Sequence, residues 1–123
     1  MSDQRLIECV PNFSEGRDPE IIRQITSVIE EVEGVRLLDT DPGKATNRTV
    51  VTFVGHPDGV IEAAFRAIKK ASEVIDMSQH KGEHPRMGAT DVCPLIPIAG
   101  ITMAETAAYA HKLAERVGRE LPV

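Results

Sequence analysis

The sequence predicts an α+β fold in which two helices pack on one face of a four-stranded antiparallel sheet, with one more helix at the C-terminal side. Three observations predict it. Four short segments of aliphatic and β-branched residues have strand character, and two segments between them repeat their apolar residues at helical spacing. The two middle strand segments are separated only by a short run of turn-forming residues, so a hairpin is the economical connection. A third helical segment then comes after the last strand. The chain has 123 residues, of which 41% are hydrophobic and 27% charged, which suits one globular domain over 1–123.

In order, Arg5 to Val10 reads as a strand stopped by Pro11, and Asn12-Phe13-Ser14-Glu15-Gly16-Arg17 as a polar loop. Asp18-Pro19-Glu20 opens a helix, with Asp18 suited to the N-cap, Pro19 to the first helical position and Glu20 to the positive end of the dipole. Ile21, Ile22, Ile25, Val28, Ile29 and Val32 form its apolar stripe, and Gly34 ends it as a C-cap glycine. Val35 to Thr40 is the second strand, Asp41 to Asn47 a turn-rich loop, and Arg48 to Val54 the third strand. A second helix restarts at Gly55-His56-Pro57-Asp58 and runs to about Met77, with Val60, Ile61, Ala64, Phe65, Ile68, Ala71 and Ile75 on one face. Val92 to Ile98 is the fourth strand. Pro94 and Pro97 cannot donate to a ladder and put it at a sheet edge. Thr102-Met103-Ala104-Glu105 is a capping box for a last helix ending near Gly118. The order β-α-β-β-α-β is the split, ferredoxin-like pattern, which leaves the second face of the sheet to be covered by something else.

The formal net charge of -5 argues against non-specific nucleic-acid binding, while Lys44, Arg48, Lys81 and Arg86, in or beside predicted loops, leave room for a small anion. No apolar run reaches the length of a membrane span, and Met1 to Arg5 leads into no signal-peptide core. Cys9 and Cys93 each sit among apolar residues and read as buried thiols rather than a disulfide. These features predict a cytoplasmic protein.

The densest chemistry lies in His80 to Asp91, which carries two imidazoles, two acids, two cations, two glycines and a proline without helical or strand periodicity. It is a loop between patterned elements, where chemistry is commonly placed. Within it His84 is the candidate general base, stiffened by Pro85 and neighboured by Arg86, which can fork onto a carboxylate. A carboxylate, Asp41 or Glu83, is needed to orient such an imidazole; the plainer alternative is a histidine that hydrogen-bonds its own loop. His80-Lys81-Gly82-Glu83-His84 also matches a zinc-peptidase spelling, but Gly82 and Pro85 oppose the helix that motif requires, so no metal is expected. Asn47 and Arg48 are candidate ligand contacts, or a turn residue and a solvated charge. The strand directions suggest that the loops after the first and third strands share one end. The hairpin turn and the His80–Asp91 loop then share the other, which separates Asn12 and Glu15 from His84, Asp41, Asn47 and Arg48.

Three stretches, Cys9 to Gly16 (CVPNFSEG), Thr46 to Val50 with Thr52 to Gly55, and His80 to Pro94 (HKGEHPRMGATDVCP), together resemble the glutamate formiminotransferase family along essentially the whole chain. The resemblance implies transfer of a formimino group from N-formimino-L-glutamate to N5 of tetrahydrofolate in histidine degradation. It implies His84 as the catalytic proton carrier, Asp41 as its support, and Asn12, Asn47, Arg48 and Arg86 as substrate contacts. It also implies tetrahydrofolate as co-substrate, no metal, and a homodimer in the full enzyme. The family's second, C-terminal subdomain lies beyond this sequence, so a partner half is expected to complete the folate site. Two other readings compete: a non-catalytic ligand-binding domain of the same fold, and an RNA-recognition module. The last lacks stacking residues, since aromatics total 3% and only Phe53 falls in a predicted strand.

Overall fold

In Arg-Thr-Val-Val-Thr-Phe-Val-Gly, from Arg48 to Gly55, alternate residues Thr49, Val51, Phe53 and Gly55 are buried and the others are half-buried. That period of two makes one face of the strand a core face. Around it the computed structural model, which describes residues 4–43, 45–75 and 90–121 (only the backbone for 90–92), builds one sheet with helices against it. The elements are β1 (Leu6–Cys9), β2 (Asn12–Phe13), α1 (Pro19–Glu30), β3 (Val35–Gly43), β4 (Arg48–Gly55), α2 (Pro57–Val74), β5 (Thr90–Val92), β6 (Leu95–Ala99) and α3 (Met103–Glu120).

All pairings in the sheet are antiparallel. β1 and β2 pair with successive parts of β4, Cys9 opposite Phe53 and Asn12 opposite Val50. β6 and β5 repeat the arrangement against β1 and β2, with Leu95 opposite Cys9 and Val92 opposite Asn12. Each couple is therefore one strand with a break in it, and the layer reads β3, β4, β1/β2, β6/β5: the ferredoxin-like order expected. Both breaks fall beside a proline, and both stay bonded through a carbonyl. Val10 N–H donates to Pro94 O at 3.1 Å and Val51 N–H to Pro11 O at 3.0 Å. Pro11 thus interrupts the first strand where the sequence predicts its end. The edge position of the fourth strand is as predicted, β6 pairing only with β1 among the described residues.

Other boundaries move. β3 continues through Asp41 to Gly43, which the sequence places in a loop, because each residue finds a partner on β4. α1 stops at Glu30, and Gly34, at φ 82, makes the turn into β3 instead of capping the helix. α2 is capped at Ile75. The helix starts are as predicted. Asp18 Oδ1 accepts from Glu20 N–H at 2.9 Å, and Thr102 and Glu105 exchange backbone-to-side-chain bonds of 3.1 and 3.0 Å.

The core lies between the helices and the inner face of the sheet. Phe13 and Phe53 are 1% and 0% exposed there, and burial of each contributes about 2–3 kcal/mol. Ala63, Ala64, Ala67 and Ala71 let α2 come close, and Ile25 and Ile29 of α1 fill the remaining space. The outer face carries no helix among the described residues. Leu6, Leu38, Ile96 and Ile98 are exposed on the sheet's strands, Leu38 being the extra residue of a bulge between Leu37 and Asp39. No described helix is long and apolar enough to cross a membrane.

α3 is fastened to α2 by charge. Arg116 lies 3.7 Å from the Phe65 ring centre and donates to Glu62 at 2.8 Å, while Arg66 donates to the other Glu62 oxygen at 2.7 Å. The bond from Arg116, and next that from Arg66, hold the Glu62 carboxyl below the usual carboxylate range. A group depressed in the folded state adds stability above its unfolded value, roughly pH 4.3, and loses it as pH falls through the folded value. Urea titrations of wild type and Glu62→Gln are therefore expected to differ at neutral pH and converge in acid. A gap independent of pH would show that the ion pair contributes nothing.

Candidate functional site

Strand direction decides which loops meet. β4 runs opposite to β1, β2 and β3, and β5 runs opposite to β2. The start of β4 at Arg48 thus lies where β2 and β3 finish and where β5 begins. Its finish, at Gly55 and His56, lies at the far end. This corrects the separation expected from sequence: the loop after the first strand leaves at the hairpin end, so Asn12, Asp41, Asn47 and Arg48 share that end with the residues leading out of the central loop.

Residues directly opposite in an antiparallel ladder project to one face. Asp41, Val50 and Asn12 form one such row. Neighbouring Phe13, Thr49 and Val51 are buried on the helix side, so the row belongs to the outer face. At a strand spacing of about 4.8 Å, Asp41 and Asn12 stand roughly 10 Å apart with Val50 between them. Asp41 is exposed and Asn12 half-buried. The Asn12 side-chain oxygen is buried without a hydrogen-bond partner, an acceptor aimed at nothing the described residues supply.

The hairpin and the loop after β2 are locked together. Gly16 N–H donates to Asn47 Oδ1 at 2.9 Å, and the Thr49 hydroxyl donates to the Glu15 carbonyl. Asn47 sits at φ 53 in the turn, a conformation asparagine tolerates. A Cβ on Gly16 would fall on the Gly43 carbonyl oxygen and within 2.5 Å of the Arg48 backbone nitrogen and oxygen. The Glu15 carboxylate meanwhile accepts from the N–H groups of Arg17 and Asp18, both at 3.0 Å. Asn47, which the sequence offers as a ligand contact or a turn residue, sits in the turn, and its side-chain oxygen positions this loop. Gly16 escapes a reading of the sequence because its need for closeness depends on a contact between residues far apart along the chain.

His84 and Arg86, with the zinc-like spelling around His80, lie outside the described residues. The strand on their C-terminal side is placed: Thr90 opposes Phe13 and Val92 opposes Asn12, so the segment enters the sheet beside the row that holds Asn12 and Asp41. The far end is closed by other residues. His56 caps α2, its Nδ1 accepting from Asp58 N–H at 3.2 Å, and Arg5 donates to Tyr109 and reaches His56, both at 3.2 Å.

Comparison with known proteins places these features in company. The family model "Formiminotransferase domain, N-terminal subdomain" matches residues 6–123. Over 119 residues the chain is 54% identical to the mouse (Mus musculus) formimidoyltransferase-cyclodeaminase, covering 97% of this chain and 22% of that protein. It is 47% identical to the glutamate formimidoyltransferase of Streptococcus pyogenes serotype M1, covering 97% of this chain and 40% of that one. Against the glutamate formimidoyltransferase of Thermoplasma acidophilum the identity is 46%, over 96% of this chain and 39% of that one. The chain therefore spans well under half the length of these curated relatives.

Proposed function

Because the chain belongs to the formiminotransferase domain family and matches its N-terminal subdomain, we propose that it supplies the proton-handling half of a glutamate formimidoyltransferase. In this reading N-formimino-L-glutamate donates its formimino group to N5 of tetrahydrofolate, a step of histidine degradation. The observation that carries it is the gathering of Asn12, Asp41, Asn47, Arg48 and the exit of the His80–Asp91 segment at one end of the sheet. Asn12, Asn47, Arg48 and that segment lie in the stretches that resemble the family.

N5 attacks the formimino carbon and a C–N bond forms. His84 takes the proton that N5 sheds and returns one to the glutamate nitrogen as the tetrahedral intermediate collapses and the old C–N bond breaks. Asp41 orients the imidazole, Arg86 and Arg48 face substrate carboxylates, and Asn12 and Asn47 contact substrate polar groups. The unpartnered Asn12 oxygen supports that assignment for Asn12. No step requires a metal. A C-terminal subdomain completes the folate site, and the full enzyme is a homodimer in the cytoplasm.

A turnover assay with formiminoglutamate and tetrahydrofolate tests the reading. The 123-residue chain alone is expected to transfer slowly or not at all, and a chain extended by the C-terminal half of a relative's transferase region to transfer readily. Full activity from the chain alone would overturn the two-part reading. An extended chain that binds folate without transferring would make it a binding domain.

A further inference from the structure

Two free thiols meet inside the sheet. Cys9 is the last residue of β1 and Cys93 lies between β5 and β6, yet their sulfurs are 3.3 Å apart. The backbones that carry them are already held side by side, with Leu95 opposite Cys9 and Val10 N–H donating to Pro94 O at 3.1 Å. Reaching the ~2.05 Å of a disulfide closes the gap between the sulfurs by little more than about 1 Å. The two thiols also differ in access. Cys9 is 0% exposed, in the core with Ile7 and Phe53, whereas Cys93 is half-buried.

We propose that Cys9 and Cys93 are a redox-modification site, converted reversibly to an intrachain disulfide by low-molecular-weight disulfides such as glutathione disulfide. Cys93, the less buried of the two residues, loses its proton and attacks one sulfur of the oxidant. The oxidant's S–S bond breaks, a mixed disulfide forms, and the first glutathione thiolate leaves and takes up a proton. Cys9 then attacks Cys93 Sγ, giving up its own proton and displacing the second glutathione thiolate, which is protonated in turn. Two protein thiols are oxidised and one oxidant disulfide is reduced to two thiols. The hydrogen bond with Cys93, and then burial, push the Cys9 thiol above the ordinary thiol range, which disfavours Cys9 as the initiating thiol; its part in the second step rests on its sulfur lying beside Cys93 Sγ. The bond would staple β1 to the junction of β5 and β6, at the root of the strand that leads out of the His80–Asp91 segment. This inference stands apart from the transferase reading, because it is read from sulfur chemistry and not from turnover.

The test treats the native chain with glutathione disulfide, quenches with iodoacetamide and maps peptides without reduction. The expected product is a linked pair of peptides carrying Cys9 and Cys93, undone by excess reduced glutathione. In Cys93→Ser the link is absent and native Cys9 stays unmodified, becoming alkylated only on unfolding. A stable glutathione adduct on Cys93 with Cys9 still free would overturn the proposal. So would two thiols that stay free in the native chain under conditions where the unfolded chain is oxidised.

Discussion

His84→Ala, in a chain extended by the rest of a transferase of its family, is expected to lower kcat for formimino transfer by about 10²–10⁴-fold while leaving KM for formiminoglutamate within a few-fold. In the proposed transfer the attacking folate nitrogen must lose a proton and the departing glutamate nitrogen must gain one, and water alone does both slowly. An imidazole serves because its ordinary pKa lies close to neutrality, so the same group accepts and then donates. Initial rates at saturating tetrahydrofolate measure the effect, and added imidazole is expected to restore part of the lost rate. A variant within a few-fold of wild type in kcat would remove His84 from the chemistry.

Gly16→Ala is expected to cost about 3 kcal/mol of stability, a large share of what a domain of this size has. The new methyl has no flexible neighbour to displace: it meets the Gly43 carbonyl and the backbone of Arg48, all fixed in the β3–β4 ladder. The loop must lift, and the bond from Gly16 N–H to Asn47 is lost with it. Gly118→Ala is the control. Nothing lies within 4 Å of a Cβ there and the position is inside α3, so that change is expected to stabilise by about 0.5–1 kcal/mol. Urea denaturation of the two variants decides it. A loss under about 1 kcal/mol at Gly16 would mean that the loop rests only loosely on the hairpin.

The elements are legible in the sequence because each is written in local spacing. The Ile25 and Ile29 stripe, the alternation through Val51 and Phe53, and the Thr102–Glu105 box need no knowledge of the rest of the chain. Pairing is different. That the strand after Arg5 runs against the one after Arg48 rests on Cys9 lying opposite Phe53, a fact about residues far apart in sequence. Hence Asn12, a candidate through the family resemblance, is put at the wrong end of the sheet when strand directions are read from sequence. The same limit hides the meeting of Cys9 with Cys93, although each reads as a thiol in apolar surroundings. It also hides the continuation of β3 to Gly43, since Asp41, Pro42 and Gly43 have turn composition and become strand only because Val50, Thr49 and Arg48 lie opposite.

The two strand breaks beside Pro11 and Pro94 stand side by side across the sheet, and together they act as a crease in a panel. On one side lie β1 and β6; on the other lie β2 and β5, which carry Asn12 and receive the chain from the His80–Asp91 segment. Among the described strands only β3 and β4 cross that line unbroken, so they carry the stiffness of the sheet from one panel to the other. The core nevertheless runs beneath both panels, through Ile7 and Cys9 on one side and Phe13 on the other, so the crease interrupts the ladder without dividing the interior.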